Sequence, residues 1–179
     1  MAEKLIFSQT IEGLLRSVSG RLTPELMAGM KARGIDPSAP LLPAYPVRVF
    51  IDVVSWLATE LHPGRPLDDA VCQVGRAFMD SYGETMVGRA MLAMIRLIGP
   101  RRTLERVTRQ FRTGNNFSDT RLTPRSATEY DLWVNEVSMV GWYLGLLSRG
   151  VELAGAKGVE VTLLSHDAAG AVFRVRWSG

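Results

Sequence analysis

Side chains that bind metals or form covalent links are scarce in this chain. Among its 179 residues there are one cysteine and two histidines. The single thiol, Cys72, excludes an internal disulfide bond, because such a bond needs two cysteines. One cysteine and two distant histidines, His62 and His166, do not form any spacing typical of a zinc site. We therefore predict neither a disulfide nor a metal site.

Long apolar segments are missing as well. The most apolar stretch, residues 86–99, is interrupted by Arg89 and Arg96 and is too short to cross a bilayer. Residues 1–13 contain acidic and amide side chains where a signal peptide needs a continuous apolar segment. We therefore expect a cytoplasmic protein without a membrane span.

Recognisable catalytic motifs are also lacking. The glycines of residues 75–88 have neither the spacing of a dinucleotide-binding loop nor the lysine of a phosphate-binding P-loop. Neither histidine has a serine or cysteine with an orienting carboxylate near it in an arrangement known from hydrolases. The sequence therefore predicts no catalytic residue and no cofactor, and we expect a protein that is not an enzyme.

Arginine, by contrast, is concentrated in the middle of the chain. The formal net charge of +3 permits an anionic partner without requiring one. In the predicted helix 101–112, Arg102, Arg106 and Arg109 recur at i, i+4 and i+7 and therefore share one face, and Arg112 follows them. Guanidinium groups on one face can bind a phosphate or carboxylate through paired hydrogen bonds.

Three interpretations of this basic stretch remain open: a solvated helix face, a surface for a partner protein, and an anion- or nucleic-acid-binding surface. Only Phe111 and Phe117 lie nearby for stacking on bases, so nucleic acid is not favoured. Residues 113–116 (TGNN) predict a helix cap with glycine or asparagine in the left-handed conformation. Asn115 and Asn116 can also bond backbone groups and hold the loop rigid, or contact a ligand.

Apolar periodicity predicts a single α+β domain over residues 1–179. A helical repeat runs through the N-terminal majority, with a hydroxyl–proline–acid helix start at residues 23–25. Residues 84–98 are apolar on most sides, so we expect the central and most buried helix there. Residues 159–164 and 171–177 alternate with period two around a polar turn, which predicts a C-terminal antiparallel hairpin packed with the helices.

Two glycines one turn apart mark the last predicted helix. Gly141 and Gly145 permit the close approach of another backbone. In a chain without a membrane span, this spacing indicates tight intramolecular packing rather than a membrane dimer.

Several motifs resemble a myxobacterial paralogous family known only as a domain of unknown function. They extend over nearly the whole chain and comprise RTGNNF, LIGPRRTLERV, LLPAYPV, ELHPG, GLLSRGVELAGAKGVEV and FRVRW. The order of elements is similar to that of haem nitric oxide/oxygen-binding domains, vinyl-reductase-type ligand-binding domains of bacterial regulators, and trafficking-complex subunits with acyl tunnels. This resemblance implies a helical pocket for haem, aromatic molecules or acyl chains, commonly in a dimer.

The chain departs from these relatives where they bind metals. The haem-binding family needs a proximal histidine on the helix equivalent to residues 103–112, which contain none. Its Tyr-x-Ser-x-Arg motif for the haem propionates is not matched by YDLWV at residues 130–134. The cysteine and histidine partners of the regulators' metal-assisted phenol pockets are missing too. We therefore expect a pocket that does not ligate haem.

The implied pocket has candidate walls on the predicted helices. The candidate residues are Cys72, Phe78, Met91, Met94 and Trp142. Flexible methionine side chains adapt to irregular ligands, although ordinary core filling explains them as well, and Cys72 also fits a buried structural thiol.

We expect a regulatory or scaffolding domain that binds a hydrophobic small molecule or a partner protein through a helical pocket or face. A homodimer fits this expectation. The alternative is anion or nucleic-acid binding through the basic helix 101–112.

Overall fold

The N-terminal part of the chain is helical. The computed structural model describes residues 3–178. The α-helices in this part are α1 (Ser8–Val18), α2 (Pro24–Ala32), α3 (Val47–Leu61), α4 (Leu67–Tyr82), α5 (Met86–Glu105) and α6 (Val107–Phe111), and a further helix, α7 (Val140–Leu153), lies between strands nearer the C-terminus. None of these described helices is long and apolar enough to cross a membrane. The predicted helix start is confirmed, because Thr23 Oγ1 accepts a hydrogen bond from Leu26 N at 3.3 Å and caps α2.

Two antiparallel sheets complete the described fold. The strands are β1 (Leu5–Phe7), β2 (Ala44–Pro46), β3 (Thr120–Pro124), β4 (Glu129–Asn135), β5 (Lys157–Asp167) and β6 (Gly170–Ser178). β1 pairs with β2, and the other strands form a sheet in the order β3–β4–β6–β5. The predicted α+β class and C-terminal hairpin are confirmed.

Two hydrophobic clusters form the interior. The first joins α1, α3 and α4 around fully buried residues such as Leu14 and Leu57. The second lies between α7 and the four-stranded sheet, around Phe173. Trp142 belongs to the first cluster, while Tyr143 packs against both. α7 is therefore the element that connects the two parts of the core.

α4 and α7 approach each other closely because glycines line their contact. A methyl group on Gly141 would overlap the carbonyl oxygen of Asp68, and one on Gly145 would overlap that of Cys72. Gly75 lies opposite on α4 and has no room for a side chain either. The predicted tight intramolecular packing of the glycine pair is confirmed.

The prediction that residues 84–98 form the most buried helix is wrong. In this part of α5, Gly88 and Ile95 are the buried helical positions, whereas Met86 and Leu97 are 82% and 87% exposed. The helix covers the core with one narrow face, and several of its other apolar side chains, such as Met86 and Leu97, face solvent. The central position belongs to α4 and α7.

One kink precedes the basic segment 101–112, and one interruption divides it. Gly99 has a left-handed φ of 77°, which kinks α5. Arg106 N donates to Thr103 O at 3.2 Å, the tighter pattern typical of a helix end. The predicted continuous helix 101–112 is therefore wrong, and the segment consists of two short pieces. Its inward face is as predicted, because Leu104 is buried.

β5 is an edge strand with an irregular register. Its pairing with β6 shifts between Lys157 and Glu160 and again between Leu163 and Ser165. Leu163 and Leu164 are 40% and 46% exposed. Such shifts are typical of β-bulges, which bend a strand locally.

Candidate functional site

An apolar cavity lies where α7 connects the two hydrophobic clusters. Its volume is about 140 Å³. Its walls come from six helices and include Thr10 of α1, Phe50 of α3, Phe78 of α4, Ile95 of α5, Val107 of α6 and Trp142 of α7. The cavity is thus built from residues that are distant in sequence and meet only in the folded chain.

Aromatic rings hold one wall of this cavity. The Trp142 ring lies edge-on to Phe50, with centroids 5.2 Å apart, and 5.0 Å from Phe78. Phe78 also stacks on Tyr82 at 5.2 Å. Aromatic pairs attract each other at these distances, so the rings hold one another in place and the wall is formed before any ligand arrives.

The structure brings three of the predicted pocket residues together. Phe78, Met91 and Trp142 all line the cavity. They come from α4, α5 and α7, whose inward faces meet here. Met91 and Ile95 are one helical turn apart on α5 and present the same face.

The other two predicted pocket residues lie elsewhere. Cys72 is nearly two turns before Phe78 on α4, at the close contact with Gly145, and is not among the described lining residues. Burial raises the pKa of its thiol. Met94 is half-buried, but it leaves α5 at a different angle from Ile95, so it does not reach the cavity lining.

The cavity also contains polar groups that no sequence motif marks. Tyr82, Gln110 and Ser118 line it, and their buried Oη, Nε2 and Oγ atoms have no hydrogen-bond partner within residues 3–178. Burial raises the pKa of Tyr82, and the nearby Thr113 hydroxyl opposes this effect only in part. For Gln110 alone, the sequence held a hint of an inward position, because it lies three residues after Val107 and so shares its helical face.

Two asparagines hold the loop that follows α6. Asn115 Oδ1 accepts hydrogen bonds from Phe117 N at 3.1 Å and Ser118 N at 2.8 Å. Asn116 Oδ1 accepts from Leu5 N at 2.8 Å and so ties the loop to β1. The predicted rigid loop is present. The predicted left-handed cap is wrong, because neither asparagine nor Gly114 is among the described residues with positive φ, and these side-chain bonds replace it.

The four predicted arginines differ in their surroundings. Arg102, Arg106 and Arg109 are exposed, and none of them forms an ion pair with a residue of the described chain. Arg112 Nε donates to Ser118 O at 2.8 Å and thereby supports the loop. The first three are therefore available to an external anion, whereas Arg112 has a structural contact.

The resemblance to haem nitric oxide/oxygen-binding domains points to haem as a cofactor. The residues that line the cavity do not fit haem. His62 ends α3, where burial and then Arg21 and Arg65 lower its pKa. A ring nitrogen of His166 lies 2.7 Å from Val137 O. The described lining includes neither a histidine nor a cysteine, the residues that most often hold haem iron. The described chain also has no cluster of three potential metal-binding side chains.

Solved structures with a similar fold are H-NOX domains. A triple mutant of an H-NOX protein from S. oneidensis has a TM-score of 0.75 at 9% identity, with 97% of each chain covered. An H-NOX protein from K. algicida has a TM-score of 0.69 at 14% identity, with 95% of each chain covered. An oxygen-binding H-NOX domain related to soluble guanylate cyclases has a TM-score of 0.64 at 13% identity, covering 94% of this chain and 93% of that chain. The expected similarity in architecture is confirmed.

The sequence matches one family over nearly its whole length. No curated protein matches it significantly. The family model covers residues 4–178, which confirms the resemblance to a full-length domain of unknown function. The chain therefore belongs to the family described as protein of unknown function DUF2378.

Proposed function

We propose that this protein is a regulatory or scaffolding domain that binds a small hydrophobic molecule in the cavity, without haem. The observation that carries the proposal is the apolar cavity of about 140 Å³ between six helices. An engineered cavity of about 150 Å³ lined by Leu, Ile and Phe binds benzene. The present cavity therefore suits one six-membered ring or a short chain of similar size. A solved structure of similar fold is an oxygen complex, which gives a precedent for a small ligand.

The side chains around the cavity support binding rather than catalysis. Glu136 is the one charged residue among the described lining residues, and it forms an ion pair with Lys4. General acid–base catalysis needs a titratable group with a pKa near the working pH. The raised pKa of Tyr82 keeps its phenol protonated at neutral pH. We infer that the domain is not an enzyme.

Val107→Phe is expected to abolish the binding of small aromatic probes such as toluene and indole. Val107 is 4% exposed and lines the cavity, so a phenyl ring there occupies the volume that the probe needs. In the wild-type protein, a probe at 100 times its dissociation constant should stabilise the fold by about 2.7 kcal/mol. Calorimetry and thermal unfolding measure both effects.

Val87→Phe is the matched control for this experiment. Val87 is 43% exposed on α5 and is not among the lining residues, so probe binding should be unchanged. Native mass spectrometry of protein purified from its host tests for a natural ligand. A wild-type protein that binds no aromatic or short-chain probe, and carries none from its host, contradicts the proposal.

The unpaired arginines favour a second candidate function. Arg102, Arg106 and Arg109 are exposed without an ion pair in residues 3–178, whereas their neighbour Arg101 pairs with Glu105 at 2.9 Å. Guanidinium groups without an internal partner suit an acidic surface, because each can make paired, charge-assisted hydrogen bonds. We infer that these arginines form a contact surface for an acidic partner protein. The experiment must also show that they do not bind nucleic acid instead.

Replacing Arg102 and Arg109 together with glutamate is expected to abolish binding to poly-glutamate. Because both are exposed and unpaired, the free energy of unfolding should change by less than about 0.5 kcal/mol. Titrations on immobilised poly-glutamate and on duplex DNA measure the binding. If DNA is the partner instead, three phosphate contacts predict an affinity that falls roughly 40-fold between about 50 and 200 mM salt.

The control for charge alone is the pair Arg48→Glu and Arg65→Glu. Both residues are exposed, on α3 and in the loop after it, and the net charge changes by the same amount. Equal loss of binding in the two double variants rules out a defined surface.

A further inference from the structure

Unpaired polar atoms are concentrated in the cavity. The Tyr82 hydroxyl, the Gln110 Nε2 and the Ser118 hydroxyl are buried without a hydrogen-bond partner in the described chain, and all three residues line the cavity. Tyr82 and Ser118 are only 3% and 1% exposed. Buried polar groups in folded proteins are almost always paired. Three exceptions in one cavity therefore indicate what kind of molecule completes it.

The surrounding contacts hold these groups in place. Ser118 N donates to Asn115 Oδ1 at 2.8 Å, which fixes the loop that carries the hydroxyl. Thr113 Oγ1 donates to Gln110 O at 2.7 Å, so its proton is used by the backbone. The Thr113 hydroxyl lies near the Tyr82 phenol, and the Ser118 hydroxyl lies near the Tyr143 phenol. Gln110 Nε2 has no such neighbour among the described residues and is the group left to face a ligand.

The available atoms are hydrogen-bond donors. An amide nitrogen can only donate, whereas a phenol or an aliphatic hydroxyl can donate its proton and can also accept. The ligand must therefore carry an acceptor atom. No lysine, arginine or histidine is among the described lining residues, so an anionic ligand would be buried without a counter-charge. A neutral acceptor satisfies both conditions.

We propose that the ligand is an uncharged carbonyl compound about the size of a monosubstituted six-membered ring, whose oxygen accepts hydrogen bonds from Gln110 and from the hydroxyl of Tyr82 or Ser118. This inference rests on the proposed function, since it assigns the ligand class of the same cavity. The aromatic wall of Phe78 and Trp142 contacts the hydrocarbon part, and the polar groups select the carbonyl.

The test compares two probes of the same shape, acetophenone and isopropenylbenzene, in which a methylene group replaces the carbonyl oxygen. Wild-type protein should bind acetophenone about 10-fold more tightly, the gain typical of a hydrogen bond to a donor that is otherwise unpaired. Benzoate, the anionic probe, should bind more weakly than either. Gln110→Leu and Ser118→Ala should each reduce the preference for acetophenone while leaving the affinity for isopropenylbenzene within about 2-fold of wild type.

Gln73→Leu is the matched control, because Gln73 is exposed on α4 and should leave the preference unchanged. The unfolding midpoint of Gln110→Leu should equal or exceed that of wild type, since an unpaired buried amide is removed. A lowered midpoint would indicate a structural role and overturn the assignment of Gln110.

The outcomes separate the two proposals. Equal affinity of wild type for the two neutral probes keeps the proposed function and overturns the carbonyl assignment. Tightest binding of benzoate overturns the assignment of a neutral ligand. Failure of all three probes to bind overturns this inference, and the proposed function falls with it only if toluene, indole and short-chain probes also fail and no ligand is carried from the host.

Discussion

Gly145→Ala is expected to lower the free energy of unfolding by about 3 kcal/mol. The added methyl group would overlap the carbonyl oxygen of Cys72 and lie 2.9 Å from Arg76 N and 3.0 Å from Gly75 Cα. These are backbone atoms of α4, which cannot rotate away as a flexible side chain does. The two helices must therefore separate. Urea denaturation measures the loss.

Gly150→Ala on the same helix is the matched control. The nearest atom to a methyl group there is Met79 Cε at 3.6 Å, an ordinary van der Waals distance. Because alanine is a better helix former than glycine, this variant should gain about 0.5–1 kcal/mol. An equal loss of stability in both variants would mean that the close approach of α4 and α7 is not the cause.

Phe173→Ala is expected to cost about 4 kcal/mol of unfolding free energy. Phe173 is fully buried on β6, between its strand partners Leu132 and Leu163. Its ring also stacks against Tyr143, with centroids 6.0 Å apart. Removing it leaves a void under α7, and the same urea experiment measures the effect.

Phe173→Leu separates the loss of ring stacking on Tyr143 from the loss of buried volume, because leucine removes the ring and keeps most of the side-chain volume. Leucine keeps most of the buried hydrocarbon, so the cost should stay below about 1.5 kcal/mol. Equal costs for alanine and leucine would show that ring stacking on Tyr143, rather than filling of the core, dominates at this position.

Elements with long repeating patterns were predictable. α3, α4 and α7 bury apolar residues at helical spacing over two or more turns, and β6 alternates along its length. Short edge elements were not. β3 contains a single large apolar residue, Leu122, and β2 lies within a proline-rich connector. Too few side chains are buried in these strands to leave a pattern.

The place of α5 could not be read from its composition. An apolar helix is usually buried, and residues 86–98 are apolar on most sides. Burial depends on which elements pack around a helix, and the close contact between α4 and α7 depends on Gly75, Gly141 and Gly145. Those glycines bring α4 and α7 together and leave α5 at the periphery.

The candidate site was predictable only in its apolar part. Phe78 and Trp142 are large inward-facing residues on strongly periodic helices, so their contribution could be expected. Tyr82, Gln110 and Ser118 matter because they lack hydrogen-bond partners, a property that depends on contacts between distant segments. A local sequence pattern does not show whether a side chain will lack a hydrogen-bond partner in the folded protein.

An open sheet edge invites a strand from another molecule, which is how many aggregates begin. β5 presents such an edge in the described chain, but its ladder with β6 is regular only over residues 160–163 and 165–167. A foreign strand could form only a few consecutive hydrogen bonds before reaching an irregular position. The register shifts therefore shorten the regular edge that β5 offers beside the exposed Leu163 and Leu164.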